Sequence, residues 1–185
     1  MPDYRRSRRE GGSFFLTLVT HQRRPILTIP SSRKILHESI VAVAASRPFD
    51  LTGSVLLPDH LHLLMRLPQG DADYSTRIGM IKTAFTRAYL AGGGSEGLTT
   101  ESRRRHRVRG VWEKRFWEHT IRDYKDFLFH LEYIHMNPVK HKLAKRAIDW
   151  PWSSFHRYVQ LGWYAPDWCG RVHLPGGTEY YIEPW

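Results

Sequence analysis

Cysteine is almost absent from this chain. Cys169 is the single thiol among 185 residues, so no internal disulfide can form, and a cytoplasmic protein is expected. Long apolar runs are missing as well. Nothing approaches the about 18 consecutive apolar residues of a membrane-crossing helix. The start, Met1-Pro2-Asp3-Tyr4-Arg5-Arg6, lacks the apolar stretch of a secretory leader. No Lys-rich amphipathic helix suggests a membrane surface as partner, and no internal repeat is visible. Acidic residues are scarce: 18 Asp and Glu face 28 Lys and Arg, a net charge of +10. What is present is Arg, with Trp and Tyr among the basic residues. Arg suits phosphates and base edges, and aromatic faces suit stacking, so nucleic acid is the expected partner. Apolar residues make up 41%, enough for the core of one domain.

The chain divides into a basic arm over residues 1–12, a domain over 13–148 and an aromatic-rich tail over 149–185 expected to lie across it. Phe14 to Thr20 is rich in aromatic and β-branched residues and predicts a strand. Ser31 or Ser32 can cap a helix ending near Ser46, before Arg47-Pro48. Phe49 to Leu57 and His60 to Leu67 predict two strands joined tightly at Pro58-Asp59. A second helix is expected from Tyr74 to Leu90. Residues 91–110 have no apolar periodicity and read as a flexible basic insertion containing Arg103, Arg104, Arg105 and Arg107. Val111 to Ile121 predicts a fourth strand. Asp123 should cap a third helix, with Asp126 as a capping-box variant. Pro138 fits poorly inside it, so Asn137-Pro138 is expected to start a new short helix reaching Leu143. The order βαββαβ, followed by a helix and tail, predicts an α+β ferredoxin-like fold with a four-stranded antiparallel sheet.

Two constellations carry chemistry. His60-Leu61-His62 lies in an apolar strand, where residues two apart share a face. Both imidazoles then project together as a pair of metal ligands. Such a pair alone suits Zn, Fe, Ni or Cu more than Mg. It equally suits two histidines hydrogen-bonded within a half-buried strand. On the third helix, Tyr133 and Asn137 are four apart and share a face. They could offer a hydroxyl and an amide oxygen together, or be an ordinary half-buried tyrosine and a helix cap.

Several ordered motifs then carry a resemblance. They are Leu57-Pro58-Asp59-His60-Leu61-His62-Leu63-Leu64, Phe116-Trp117-Glu118-His119, Tyr133-Ile134-His135-Met136-Asn137-Pro138-Val139-Lys140-His141 and Asp149-Trp150-Pro151-Trp152-Ser153-Ser154-Phe155. With the basic arm ending Gly11-Gly12-Ser13-Phe14-Phe15, they resemble the REP-associated tyrosine transposases. These are relatives of the IS200-like single-tyrosine transposases in the HUH endonuclease superfamily. The resemblance spans nearly the whole chain except the 91–110 insertion.

It implies that His60 and His62 bind a metal ion, Mg²⁺ or Mn²⁺, and that Tyr133 is the nucleophile. It suggests Asn137 as third ligand, where related insertion-sequence enzymes carry Gln, one methylene longer. The implied chemistry is cleavage and rejoining of single-stranded DNA through a 5′-phosphotyrosine. A phenol with a pKa of about 10 needs in-line placement and a neutralised phosphate to react. The implied substrate is DNA beside a short hairpin, the folded form of repetitive extragenic palindromes, with a short flanking sequence read by the protein. Arg5, Arg6, Arg8 and Arg9 are candidates to read that flank. Lys82, Lys140 and the Arg103, Arg104, Arg105 and Arg107 group are candidates for backbone contacts. A monomer or a homodimer is expected, associated with the nucleoid. The competing expectation is a domesticated protein that binds such hairpins without turnover. A small metal hydrolase unrelated to DNA fits the +10 charge less well.

Overall fold

The computed structural model describes residues 8–105, 109–173 and 179–181. Its centre is a four-stranded antiparallel sheet made of β1 (Ser13–Val19), β2 (Asp50–Leu56), β3 (His60–Arg66) and β4 (Trp117–Thr120), in the order β2-β3-β1-β4. This is the ferredoxin-like arrangement, with β1 and β3 central and β2 and β4 at the edges. Helices α1 (Pro30–Ser46) and α2 (Tyr74–Ala91) cover one face, and α4 (Tyr124–Lys140) covers the other. The short α3 (Glu101–Arg105) lies between α2 and β4. Among the described residues, no helix is long and apolar enough to cross a membrane.

Alternation along β1 and β3 sorts the two cores. Phe14, Leu16, Leu18, Leu61, Leu63 and Met65 point to α1 and α2, where they meet Ile78, Ile81 and Phe85. Phe15 and Leu64 point to α4 and meet Leu131 and Ile134. By the same period, Thr17, His60 and His62 face α4. Gly53 on β2 sets how closely that helix approaches, since a Cβ there would lie 2.8 Å from Leu131 Cδ1. The strand irregularity between Leu51 and Gly53 falls at this close approach.

Three local expectations need correction. First, α1 begins at Pro30, not at a serine cap, because proline at the first helical position loses no hydrogen bond. Second, β4 is limited to Trp117–Thr120, and the residues before it pair with the sheet in an isolated bridge between Thr20 and Trp112. Third, no new helix starts at Pro138: α4 runs unbroken to Lys140 with Pro138 inside it. Pro138 gives up its bond to the Ile134 carbonyl and crowds the turn before it, a cost that the packing of Leu131 and Ile134 against the sheet offsets. The Pro138 carbonyl accepts from the Leu143 amide at 2.8 Å as the chain turns away. Asp123 does cap α4, accepting from the Asp126 amide at 2.8 Å.

The chain after α4 closes the β2 edge, which would otherwise be open to pairing. The Leu56 amide donates to the Trp152 carbonyl, the Ser154 amide to the Ser54 carbonyl, and the Tyr158 hydroxyl to the Thr52 carbonyl. The same segment, with α5 (Phe155–Gln160), packs Tyr158 and Tyr164 against the outer face of α4. This seam buries Glu132, whose Oε2 has no hydrogen-bond partner, as does the Tyr164 hydroxyl. Burial raises the Glu132 carboxyl from 4.5 to about 8.

The folded protein therefore holds a proton that the unfolded chain has lost at every pH between those values. Stability should fall as pH rises through that window, by up to about 1.4 kcal/mol per pH unit. Glu132→Gln should remove this dependence and stabilise the protein at neutral pH. Urea midpoints measured from pH 5 to pH 8 for both proteins check it. Parallel pH profiles would show that Glu132 is not the group responsible.

Candidate active site

His60 and His62 come from one face of β3, with ring centroids 5.0 Å apart. Both are buried, and an outer partner orients each ring. The Nδ1 of His60 is 2.6 Å from Asp59 Oδ1, and the Nδ1 of His62 is 2.8 Å from Thr17 Oγ1 on the paired strand. Such partners fix ring orientation and leave each Nε2 as the nitrogen free of that bond. Asp59 also pairs with Arg23, at 3.0 Å.

Helix α4 lies over the pair. Tyr133 is half-buried, with its ring edge-on to His62 at 5.4 Å and to Phe15 at 5.7 Å. One turn on, Asn137 is fully buried and donates its amide to the Tyr133 carbonyl at 2.9 Å. That leaves Asn137 Oδ1 and His62 Nε2 buried without a well-formed hydrogen bond, although the Asn137 side chain is near enough to His62 to oppose the fall in its pKa. Buried polar atoms held this loosely are costly unless something binds them. Burial, with His60 adding to it, lowers His62 to about 3, so its imidazole stays neutral and keeps a lone pair for a cation. Two imidazoles and an amide oxygen are donor types that can hold a metal ion.

His60, His62 and Tyr133 line a cavity of about 560 Å³ that also takes in Arg23, Lys140 and His141. Lys140 Nζ stands 5.0 Å over the Tyr133 ring, and His141 lies 5.1 Å from His60, ring to ring. The sequence alone assigns no role to Arg23 or His141. His141 could be found from its place at the end of the Tyr133 motif. Arg23 could not, because a residue after β1 reaches this site only once the sheet is built.

A further group surfaces only in three dimensions. His119 on β4 and Asp126 and His130 on α4 bring three donor atoms within 4.8 Å, forming a His/Asp cluster capable of coordinating a metal ion. Its donors are also bonded to one another. His119 Nε2 is 2.8 Å from Asp126 Oδ2, and His130 Nδ1 is 3.1 Å from Oδ1. Arg122 Nε donates to the same carboxylate at 3.2 Å. Burial works to raise the Asp126 carboxyl, but His119 and the Arg122 amide outweigh it and hold it at about 2. The Asp126 carboxylate therefore reaches the Arg122 amide, not the Asp123 amide of a capping box. Strand pairing and helix packing create this cluster, and spacing alone does not show it.

The cationic residues fall differently from expectation. Arg9 donates to the Ile121 carbonyl at 2.9 Å, which ties this part of the arm to the sheet edge. Arg8 is exposed, while Arg5, Arg6 and Arg107 lie outside the described residues, as does the side chain of Arg104. Arg103 is engaged with the Trp112 carbonyl at 2.8 Å and with Glu113, and Arg105 pairs with Glu101 within the short helix. Lys82 donates to the Glu113 carbonyl at 2.6 Å. The basic insertion thus includes a helical turn and internal ion pairs, because Glu96, Glu101 and Glu113 are near enough to hold its arginines. Of the basic candidates among the described residues, Lys140 is the one in the Tyr133 cavity.

No family profile matches the chain. Individual proteins do. A REP-associated tyrosine transposase of Escherichia coli (strain K12) is 40% identical over 172 residues, covering 93% of each chain. The chain belongs to the REP-associated tyrosine transposases. A Haemophilus influenzae protein of the same description is 41% identical over 177 residues, covering 94% of this chain and 97% of its own. A solved REP-associated tyrosine transposase bound to a REP hairpin superposes with a TM-score of 0.76 at 38% identity, covering 99% of this chain and 100% of its own. This transposase is an enzyme of the HUH type, a class that nicks and joins single-stranded DNA.

Proposed function

We propose that this transposase cleaves and rejoins single-stranded DNA beside REP-type hairpins, using Tyr133 as nucleophile and His60, His62 and Asn137 as ligands of Mg²⁺ or Mn²⁺. The observation that carries the reading is that Tyr133 shares one cavity with His60 and His62, while Asn137 lies buried one helical turn from Tyr133 with its Oδ1 unbonded. A divalent ion bound there would supply positive charge for a phosphodiester oxygen.

The chain's own residues account for the remaining chemistry. Packing against His62 and Phe15 restricts the Tyr133 ring, which favours attack from one direction. Lys140 and Arg23 place positive charge on the cavity wall, where it opposes the charge of a phosphate. The Tyr133 oxygen bonds to phosphorus, and the bond from phosphorus to the 3′ oxygen breaks. The phenol proton is transferred, directly or through solvent, to the departing 3′-hydroxyl. The 5′-phosphotyrosine conserves the bond energy, so a 3′-hydroxyl can reverse the step and join strands without ATP.

The test uses oligonucleotides carrying single palindromic hairpins with unpaired flanks, drawn from repetitive palindromes of the source genome, with Mn²⁺. Cleavage should yield a free 3′-hydroxyl and protein attached to the 5′ end. Duplex DNA of the same sequence should be bound poorly and left uncut, because a paired strand cannot bring its phosphate to Tyr133. Equal cleavage of duplex and hairpin would refute the single-strand reading. Tight hairpin binding with no adduct on any palindrome would favour the non-catalytic alternative.

A further inference from the structure

The Tyr133 cavity has two chemically different ends. Arg23 and Lys140 are cationic, whereas the other wall is aromatic and includes Trp117 and Phe129. Those two side chains are large apolar groups left in water: Trp117 is 54% exposed and Phe129 38%. Exposed rings beside a nucleophile are unusual where a neighbouring core could have covered them.

Their positions are also well fixed. Trp117 sits on edge strand β4, its backbone paired to Thr17, with its ring edge-on to Phe15 at 5.5 Å. Phe129 stands edge-on to His130 at 5.2 Å. Between them, His119 stacks on His130 at 4.4 Å, and the His119 ring lies nearly parallel to Trp117 at 6.1 Å. Asp126 holds both histidines, as described above. The aromatic wall is therefore braced in advance of any ligand, which lowers the ordering cost of binding a flat partner.

We infer that Trp117 and Phe129 form a stacking site for the unpaired base adjoining the scissile phosphate, while Arg23 and Lys140 face the phosphate itself. The occupant is a single nucleotide of the substrate strand. A nucleotide has an anionic end and a flat apolar end, in the same polarity as the cavity. A base stacked on a braced ring also fixes the rotation of its own phosphate, so Trp117 acts as a positioning residue for in-line attack. This inference rests on the single-strand cleavage reading given above.

The direct test places 2-aminopurine, a fluorescent base quenched by stacking, at each unpaired position flanking the cleavage point. Binding to Tyr133→Phe protein, which keeps the ring and cannot react, should quench one of these positions strongly. Trp117→Ala in that background should restore its emission, whereas Trp117→Phe should preserve most of the quench. In cleavage assays, Trp117→Ala should raise KM by about tenfold or more, the range that loss of one base–aromatic stack produces. An abasic nucleotide at the quenched position should cost wild-type protein a similar factor and cost Trp117→Ala nothing further.

Penalties that multiply would overturn the inference, as would a quench unchanged by Trp117→Ala. If the Trp117→Ala protein does not fold, the abasic series on wild-type protein decides alone. Cleavage indifferent to every flanking abasic site would then count against the stack. Failure of the underlying reading looks different, because unmodified hairpin would give no covalent adduct with wild-type protein at all.

Discussion

Tyr133→Phe should bind hairpin DNA about as tightly as wild type, yet give no cleavage product and no covalent adduct. The substitution removes one oxygen. The ring contacts with His62 and Phe15 and the Lys140 ammonium over the ring do not need that oxygen. Fold and cavity shape should therefore survive. The rate should drop by at least about 10⁴-fold, as loss of an enzyme's nucleophile generally does. Labelled oligonucleotide on a denaturing gel, alongside a native-gel titration, reads both quantities.

Two other tyrosines make the result discriminating. Tyr124 lies on the same helix and is 55% exposed, and Tyr158 is buried with its hydroxyl donated to the Thr52 carbonyl at 2.7 Å. An adduct persisting in Tyr133→Phe and mapping to either would displace Tyr133 from its role.

The four-stranded sheet is legible because its signals are local. The aromatic and β-branched run from Phe14 to Thr20 marks a strand, and the Pro58-Asp59 turn marks a hairpin. The strand period of two is enough to place His60 and His62 on one face of their strand. Asn137 is harder to read. Asn followed by Pro is an ordinary helix start, and a local rule favours breaking the helix there. Packing of Leu131 and Ile134 on the sheet keeps α4 whole against the hydrogen bond that Pro138 removes. The outcome matters chemically, because Asn137 caps nothing and its Oδ1 remains unpartnered in the site.

The His119, Asp126 and His130 cluster is illegible for a different reason. His119 reaches the other two only because β4 pairs with β1 and α4 then crosses over it. The arginines of the insertion mislead in the opposite direction. Charge in sequence does not say whether a side chain is free, and Arg103 and Arg105 have carboxylates within reach.

Removing either histidine of the proposed metal pair should also cost orders of magnitude in cleavage. His60→Ala and His62→Ala should each lower cleavage by more than about 100-fold, since loss of an outer orienting partner alone commonly costs 10- to 100-fold. Excess EDTA should do the same to wild-type protein, with recovery on adding Mn²⁺. Thr17→Val offers a milder test, because it removes the 2.8 Å partner of His62 Nδ1 but leaves the imidazole. It should shift the Mn²⁺ midpoint upward by about 10- to 100-fold with little loss at saturation.

Asn137→Ala should also move that midpoint. Because α4 runs through this residue, the shift reports on the ligand without the confusion of a lost cap. His119→Ala serves as the counter-measurement. It disturbs the other cluster capable of holding a metal, so the Mn²⁺ midpoint should stay where it is in wild type. A midpoint that moved with His119 and ignored His62 would put the working ion in that other cluster. Cleavage undiminished by excess EDTA would remove the ion from the mechanism altogether.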